Sequence, residues 1–363
     1  MLEYELAILQ YMVKEFDIDI WGVSVNGIKP AALDINGEKY PIHIYANVNT
    51  GKRIIPNYYR GLELCFIRKE EFDKYDVVYA HTGSCAVAIS RIINKDRTKL
   101  VVHQHGLNYL TDYSLMSLIQ RPLMALARKE AELLFLVSDE ESVREYAKSQ
   151  RKWIKAQVEA VKSPINLSKF NEGKIRGRIA ERDGKRSSKF IYTGRLTSYK
   201  NVHTAVNAFA RYVRNVNPDA EFRIFGSGEE ESVIQQQIKH YGLQKNIYLM
   251  GAIPHDELYP YLEDADVFLT ASGGEGVSVS VLEAYAAGLP VVCFKVRGLE
   301  GQVIDHKTGV FALNRSSKGF YRAMLEVEKY RTQLASDCLE EAKKYDNAII
   351  AGHITDKIMR LIQ

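Results

Sequence analysis

Two short apolar runs, Asp266-Val-Phe-Leu-Thr270 and Val291-Val-Cys-Phe294, bracket the segment Ala271-Ser-Gly-Gly-Glu275-Gly276-Val277-Ser278 and the stretch that follows it to Pro290. Runs this short and this uniformly apolar read as strands buried on both faces. Between them the pattern after Gly276 favours a helix, with Gly288 as its C-terminal stop and Pro290 just beyond. Strand, glycine-rich turn, helix and strand in succession specify a parallel α/β sheet, because parallel neighbours need a crossover. Such a turn aims unpaired backbone N–H groups and the positive end of a helix at whatever lies above the sheet. Phosphate is the usual occupant.

Two carboxylates belong to this unit, Glu275 at the turn and Glu283 eight residues later. Eight residues of helix rise about 12 Å. That exceeds the roughly 5–9.5 Å between paired glycosidase carboxylates, so the two are poorly spaced to act on one bond. Spacing leaves two readings open: glutamates on an exposed helix face, or groups holding two ends of one elongated ligand.

The segment from Glu275 to Glu283, followed by Ala-Tyr-Ala-Ala-Gly288-Leu-Pro290, resembles the E-x7-E segment of retaining, GT-B-fold glycosyltransferases of family 4 (group 1). Phe190-Ile-Tyr-Thr-Gly194-Arg195-Leu-Thr-Ser-Tyr-Lys200 is similar to the family's strand-G-R-L-x3-K segment, with Asn201 where the family usually has glycine. Phe222-Arg-Ile-Phe-Gly226-Ser-Gly228 and Met250-Gly251-Ala-Ile253-Pro254-His255 stand between them in the family's order.

This resemblance implies an α/β protein of two Rossmann-like doubly wound parallel-sheet domains facing a central cleft. It implies a hexosyltransferase that uses a nucleotide-diphosphate sugar, UDP-sugar favoured, and a glycan or lipid-linked saccharide acceptor, with retention of configuration. Donor contacts fall by resemblance on Gly194, Arg195, Lys200, Gly226, Ile253, Glu275, Gly276, Val277, Ser278 and Glu283. Arg195 and Lys200 would meet the diphosphate, Glu283 the ribose hydroxyls, Glu275 the sugar, and Ile253 the base through its backbone. His105 would face the sugar from the other domain, so His105, Glu275, Arg195 and Lys200 form the expected catalytic set. With two cations on the leaving diphosphate, no cofactor and no metal is expected. Asp17-Ile-Asp19 and Asp264-Ala-Asp266 read as strand and helix boundaries rather than as a metal pair. Two alternatives stand beside this reading: a nucleotide-sugar epimerase on the related fold, and a catalytically silent GT-B scaffold that binds a partner.

The 363 residues suit two domains. The expected boundaries are an N-terminal domain over 1–170, a polar, basic connection over 171–188, a nucleotide-sugar domain over 189–345, and a final helix over 346–363 that crosses back in this family. A helical pattern over Leu2 to Lys14 opens the chain, where the family first has a strand and a glycine-rich loop; the native start is therefore expected upstream. Strand patterns at 76–81 and 99–105 end in His81 and in His103 and His105. Strand ends are where ligands collect in open α/β sheets, yet a lone histidine is more often structural, and His81 and His103 are read so. A metal on the His-x-His pair is rejected, since no third ligand has suggestive spacing.

A formal net charge of +4 does not argue for a nucleic-acid partner. The four cysteines show no C-x2-C spacing and read as free thiols. With an acidic start and no run of 18 apolar residues, the chain reads as cytoplasmic. The basic stretch from Arg144 to Lys162 is equally compatible with a solvated helix face and with peripheral contact at the inner face of a membrane.

Overall fold

A computed structural model describes residues 2–25, 32–48, 64, 67, 69–81, 83–105, 129–138, 140–149 and 154–363. The chain forms two compact units, Met1–Pro164 with Asn347–Gln363, and Ile165–Asp346. Cys65 and the centre of the basic stretch, Arg151 to Trp153, lie outside the described residues.

The first unit starts with helix α1 (Leu2–Met12) and strands β1 (Ile20–Val25), β2 (Ala32–Ile35) and β3 (Glu38–Val48). Strand β4 (Val77–Ala80), helix α2 (Gly83–Ile92), strands β5 (Lys99–His105) and β6 (Leu133–Val137), helix α3 (Glu140–Ser149) and strand β7 (Gln157–Val161) follow. Strands β4 to β7 form a parallel sheet in sequential order. A separate small sheet has the order β1-β3-β2, with β1 parallel and β2 antiparallel to β3.

The second unit comprises α4 (Glu172–Glu181), β8 (Lys189–Thr193), α5 (Val202–Asn215), β9 (Glu221–Phe225), α6 (Glu231–Tyr241), β10 (Ile247–Gly251) and α7 (His255–Asp264). It continues with β11 (Val267–Thr270), α8 (Val279–Ala286), β12 (Val291–Phe294), β13 (Gly309–Ala312) and the long α9 (Ser317–Ala342). All six strands are parallel, in the order β10-β9-β8-β11-β12-β13. This is the doubly wound order in which chain direction across the sheet reverses between the first and fourth strands, here β8 and β11. The last helix, α10 (Asn347–Ile362), belongs to the first unit.

The polar stretch 171–188, expected to connect two domains, is instead largely α4 of the second unit. Asn171 caps it by accepting from the Lys174 amide at 3.0 Å. Its charged face hides a structural residue. Buried Arg178 donates to the carbonyls of Glu263 (2.8 Å), Ala287 (2.8 Å) and Gly288 (3.1 Å), at and just beyond the C-terminal ends of α7 and α8. These acceptors have no partner within their helices, so one guanidinium satisfies two helix ends.

In the first unit, successive residues of the buried strands serve opposite faces. Leu100, Val102, Leu134 and Leu136 pack with Ala86, Ala88 and Ile89 of α2. Val101, Leu133 and Phe135 pack with Ile8 and Met12 of α1 and with Ile350, Ile354 and Ile358 of α10. Period-two alternation over two covered faces is why these strands read as unbroken apolar runs.

Asp264 and Asp266 are ion-pair centres at the start of β11. Asp266, its side chain 1% exposed, accepts from Arg182 (2.9 Å), Arg331 of α9 (3.1 Å) and the Ser188 and Lys189 amides (2.8 and 2.9 Å). Asp264 pairs with Arg182 at 3.0 Å and Lys189 at 2.6 Å. Burial by itself would raise the Asp266 carboxyl. The Arg182 hydrogen bond, the Ser188 amide and the charges of Arg182 and Arg331 outweigh it and hold the group below its ordinary value. Removing one partner of such a pair leaves the others buried and uncompensated. Asp266→Asn should therefore cost about 3–5 kcal/mol in denaturant unfolding. A group depressed on folding stabilises above its unfolded value, near 3.9, and loses that contribution as pH falls through the lower folded value. The gap between wild type and Asp266→Asn should accordingly close below about pH 4. A gap constant with pH would refute the assignment.

Candidate functional site

The reversal between β8 and β11 opens a crevice at their carboxyl ends. The segments that leave those ends are Gly194 to Lys200 and Ala271 to Ser278. Three glycines let the loops approach. The Gly194 amide donates to Phe225 O at 3.0 Å, and the Gly226 amide to Gly251 O at 2.8 Å. Gly226 has φ 126°, and a Cβ there would stand 1.9 Å from Gly194 O; at Gly228 it would stand 2.3 Å from Leu196 O. Side chains are excluded at both positions, so the ends of β8, β9 and β10 lie backbone against backbone.

Arg195 precedes and Lys200 ends a short 3-10 turn, Ser198–Lys200, and the two share the exposed Tyr199 ring. Arg195 donates to the Tyr199 hydroxyl at 2.8 Å, and its guanidinium carbon lies 5.8 Å from the ring centre; Lys200 Nζ lies 5.3 Å from it. Both fall in cation–π range. Lys200 Nζ also donates to Glu275 Oε1 at 2.6 Å, with the side chains only 17% and 9% exposed. Asn201 explains its own departure from the expected glycine. It has φ 54° and ψ 37°, the left-handed conformation that asparagine tolerates better than most residues.

Glycine-rich residues 271–278 are held above the sheet by backbone bonds, Gly273 N to Tyr199 O (2.8 Å) and Glu275 N to Arg297 O (3.0 Å). Helix α8 begins at Val279, later than the sequence pattern suggests. The Ser278 amide, expected to face a ligand, donates to Gln302 Oε1 at 2.7 Å, and Gln302 Nε2 returns a bond to Ser278 O at 3.2 Å. Gly276 and Val277, also expected at the donor, precede it directly. Gly288 ends α8 with φ 61°, as its sequence position indicates.

Glu283 lies on α8 with its side chain 8% exposed, and His255 Nε2 meets its Oε1 at 2.5 Å. Tyr259 meets the other ring nitrogen of His255 at 3.1 Å. Ile253 lies in the loop between β10 and α7, two residues before His255 and packed against the core. Sequence reasoning missed His255, Tyr199 and Gln302 as site residues. His255 had a visible signal, a histidine opening a helix just after Pro254; the other two had none. Gly194, Arg195, Lys200, Gly226, Ile253, Glu275 to Ser278 and Glu283 all occupy the carboxyl side of this one sheet.

His105 belongs to the first unit; Gly106 lies outside the described residues. At the ends of β4 and β5 the imidazoles of His81, His103 and His105 cluster in a triangle, with centroid separations of 5.1 Å (His81–His103), 4.9 Å (His103–His105) and 5.8 Å (His81–His105). His103 is fully buried, and Tyr79 hydrogen-bonds its Nδ1. His81 Nδ1 and His105 Nε2 stand 3.4 and 3.7 Å from the same oxygen of Glu5 on α1. Burial lowers the pKa of His81 to about 3 and that of His105 to about 4, and raises that of Glu5. Both rings are thus uncharged at neutral pH.

The glycine contacts make a specific demand on the site. Gly226→Ala should destabilise the protein by more than about 1 kcal/mol, since alanine fits neither the conformation nor the space. Gly274→Ala, where an added Cβ meets nothing within 4 Å, should change denaturation midpoints little. Equal midpoints for the two variants would mean that the close approach does not matter.

Residues 176–345 match the sequence profile of a family described as glycosyl transferases group 1. Glycogen synthase of Mycobacterium tuberculosis is 31% identical over 140 residues, 39% of this chain and 34% of that one, so the match spans about a third of that relative's length. The Escherichia coli UDP-Gal:alpha-D-GlcNAc-diphosphoundecaprenol alpha-1,3-galactosyltransferase is 24% identical over 279 residues, 73% of this chain and 70% of that one. Among solved structures, Anabaena HepE in complex with UDP aligns with a TM-score of 0.68 at 18% identity, over 88% of this chain and 86% of that one. Over residues 176–345 the chain is thus similar to the group 1 glycosyltransferases, and its α/β fold is the one seen in GT-B structures.

Proposed function

We propose that this protein moves a hexosyl group from a UDP-sugar to a hydroxyl of a glycan or lipid-linked saccharide, with retention of configuration. The observation that carries the reading is the placement of Arg195 and the Lys200–Glu275 pair at the switch point of the second unit. In the transfer the bond from the anomeric carbon to the diphosphate oxygen breaks, and a bond to the acceptor oxygen forms. The acceptor's proton leaves with the diphosphate or to solvent. Negative charge grows on the leaving diphosphate, and preorganised cations there lower the barrier. Arg195 offers a planar fork of donors and Lys200 a point charge, both already restrained by Tyr199 and Glu275. With these two balancing the leaving charge, no metal enters the step.

Glu275 serves a second purpose in this reading. An arriving diphosphate draws on Lys200, and the carboxylate then orients the sugar hydroxyls. Glu283 accepts from the ribose hydroxyls, and His255 fixes its orientation. The names of the E. coli relative and of HepE's ligand support a uridine donor, and the former supports a lipid-linked acceptor. A cytoplasmic setting with peripheral membrane contact belongs to the same reading. Among the described residues no helix is long and apolar enough to cross a membrane.

Thermal unfolding with UDP, GDP, ADP or CMP tests the donor site, because a ligand held only by the folded state raises the midpoint. UDP should stabilise the protein, by about 2.7 kcal/mol at a hundredfold excess over its dissociation constant. Arg195→Ala should abolish the shift. Lys200→Ala should lower turnover about 10²–10³-fold, the range for losing one preorganised donor. No shift with any nucleotide would sink the enzyme reading and favour a silent scaffold. UDP-sugar converted to its epimer without an acceptor would favour the epimerase.

A further inference from the structure

We propose that Glu5, His81 and His105 form a binding site for a zinc-class divalent cation in the first unit. The three residues converge because two periodicities meet. Val77, Tyr79 and His81 alternate along and just past β4, and Val101, His103 and His105 along β5, so both end histidines share the face that α1 covers. On α1, Glu5 precedes Ile8 by three residues and Met12 by seven, the spacing of one helix face, and Ile8 and Met12 are buried against that sheet face. Glu5 is thereby aimed at the strand ends. Sequence spacing paired His105 with His103; the structure instead groups His105 with His81 of the neighbouring strand end and with Glu5 from a helix some hundred positions earlier.

The donor atoms suit a tetrahedral ion. One oxygen of Glu5 stands 3.4 Å from His81 Nδ1 and 3.7 Å from His105 Nε2, and one ligand atom from each residue lies within 4.8 Å of the others. Zinc bonds of about 2.0–2.1 Å imply tetrahedral edges of roughly 3.3–3.4 Å, so a shared ion needs only a small inward turn of the side chains. Glu5 Oε2 and His81 Nδ1 are shielded from solvent and make no hydrogen bond among the described residues. Buried polar atoms without a hydrogen bond are costly, and a cation held between these side chains removes the cost. Uncharged imidazole is the ligating form. The neighbouring His103, tied by Tyr79 and stacked on both rings, helps keep them in place.

Two imidazoles and one carboxylate favour zinc, cobalt or nickel over magnesium and calcium, which prefer all-oxygen shells. Three protein ligands leave a fourth position for water. Occupancy would engage His105 Nε2.

Isothermal titration of the full chain with zinc chloride at neutral pH, with magnesium chloride as control, decides the matter. Saturable binding of one zinc per chain is expected, with no response to magnesium. Glu5→Gln and His81→Asn should each weaken zinc at least tenfold, a loss that even supporting residues of metal sites produce. Absence of saturable binding, or equal affinity in wild type and both variants, would overturn the site. If circular dichroism shows that His81→Asn fails to fold, the near-isosteric Glu5→Gln decides alone.

Discussion

The approach of Gly226 to within bonding range of where a side chain would clash with Gly194 O governs the second unit. Strands β8 and β9 must end together for the crevice to have a floor, and their loops must pass without side chains between them. Given that floor, Arg195 leaves β8 outward, the 3-10 turn carries Tyr199 beneath both cations, and Lys200 reaches Glu275 from the neighbouring loop. Side-chain volume at Gly226 would push these loops apart and dissolve the charge arrangement, although no charged residue had been altered. Geometry of the backbone therefore precedes electrostatics in this site.

Charge is divided between the two ends of the same sheet. At the starts of β8 and β11, Asp264 and Asp266 are saturated by Arg182, Arg331, Lys189 and backbone amides. Arg178 occupies the exposed carbonyls of two helix ends nearby. The Arg182, Arg331 and Arg178 bonds hold α4 and α9 against the sheet. At the carboxyl ends the arrangement differs: Arg195 is exposed, Gly276 and Val277 lead into a helix N-terminus, and Lys200 and Glu275 pair one to one. Buried pairs contribute to structure when fully matched and to chemistry when an incoming anion can compete for one member. The position of each pair along the strand decides which role it has.

The first unit shows how far a simple alternation reaches. One face of its parallel sheet packs Leu100, Val102, Leu134 and Leu136 under α2, while the other changes from Val101 and Phe135 to a cluster of imidazoles at the strand ends. Burial strips charge from His81 and His105 while Glu5 approaches them. The same physics that makes a histidine a poor ion-pair partner makes it a good ligand.

Several features were legible without coordinates. The parallel α/β class followed from short, uniformly apolar runs, the stop of α8 from Gly288, and the loops that meet at the carboxyl ends of β8 and β11 from ordered motifs between Phe190 and Pro290. Local chemistry determines these: apolar runs must be covered on both faces, and positive φ selects glycine or, at Asn201, asparagine. The polar stretch after Asn171 misled, because its helix exposes charge while one buried arginine, invisible to any periodicity, anchors it. Tertiary structure alone decided that the Ser278 amide is held by Gln302, that His255 orients Glu283, and that Glu5 meets two strand-end histidines. Each joins residues far apart in sequence or on different elements, and no local propensity encodes which distant side chain will satisfy a buried polar atom.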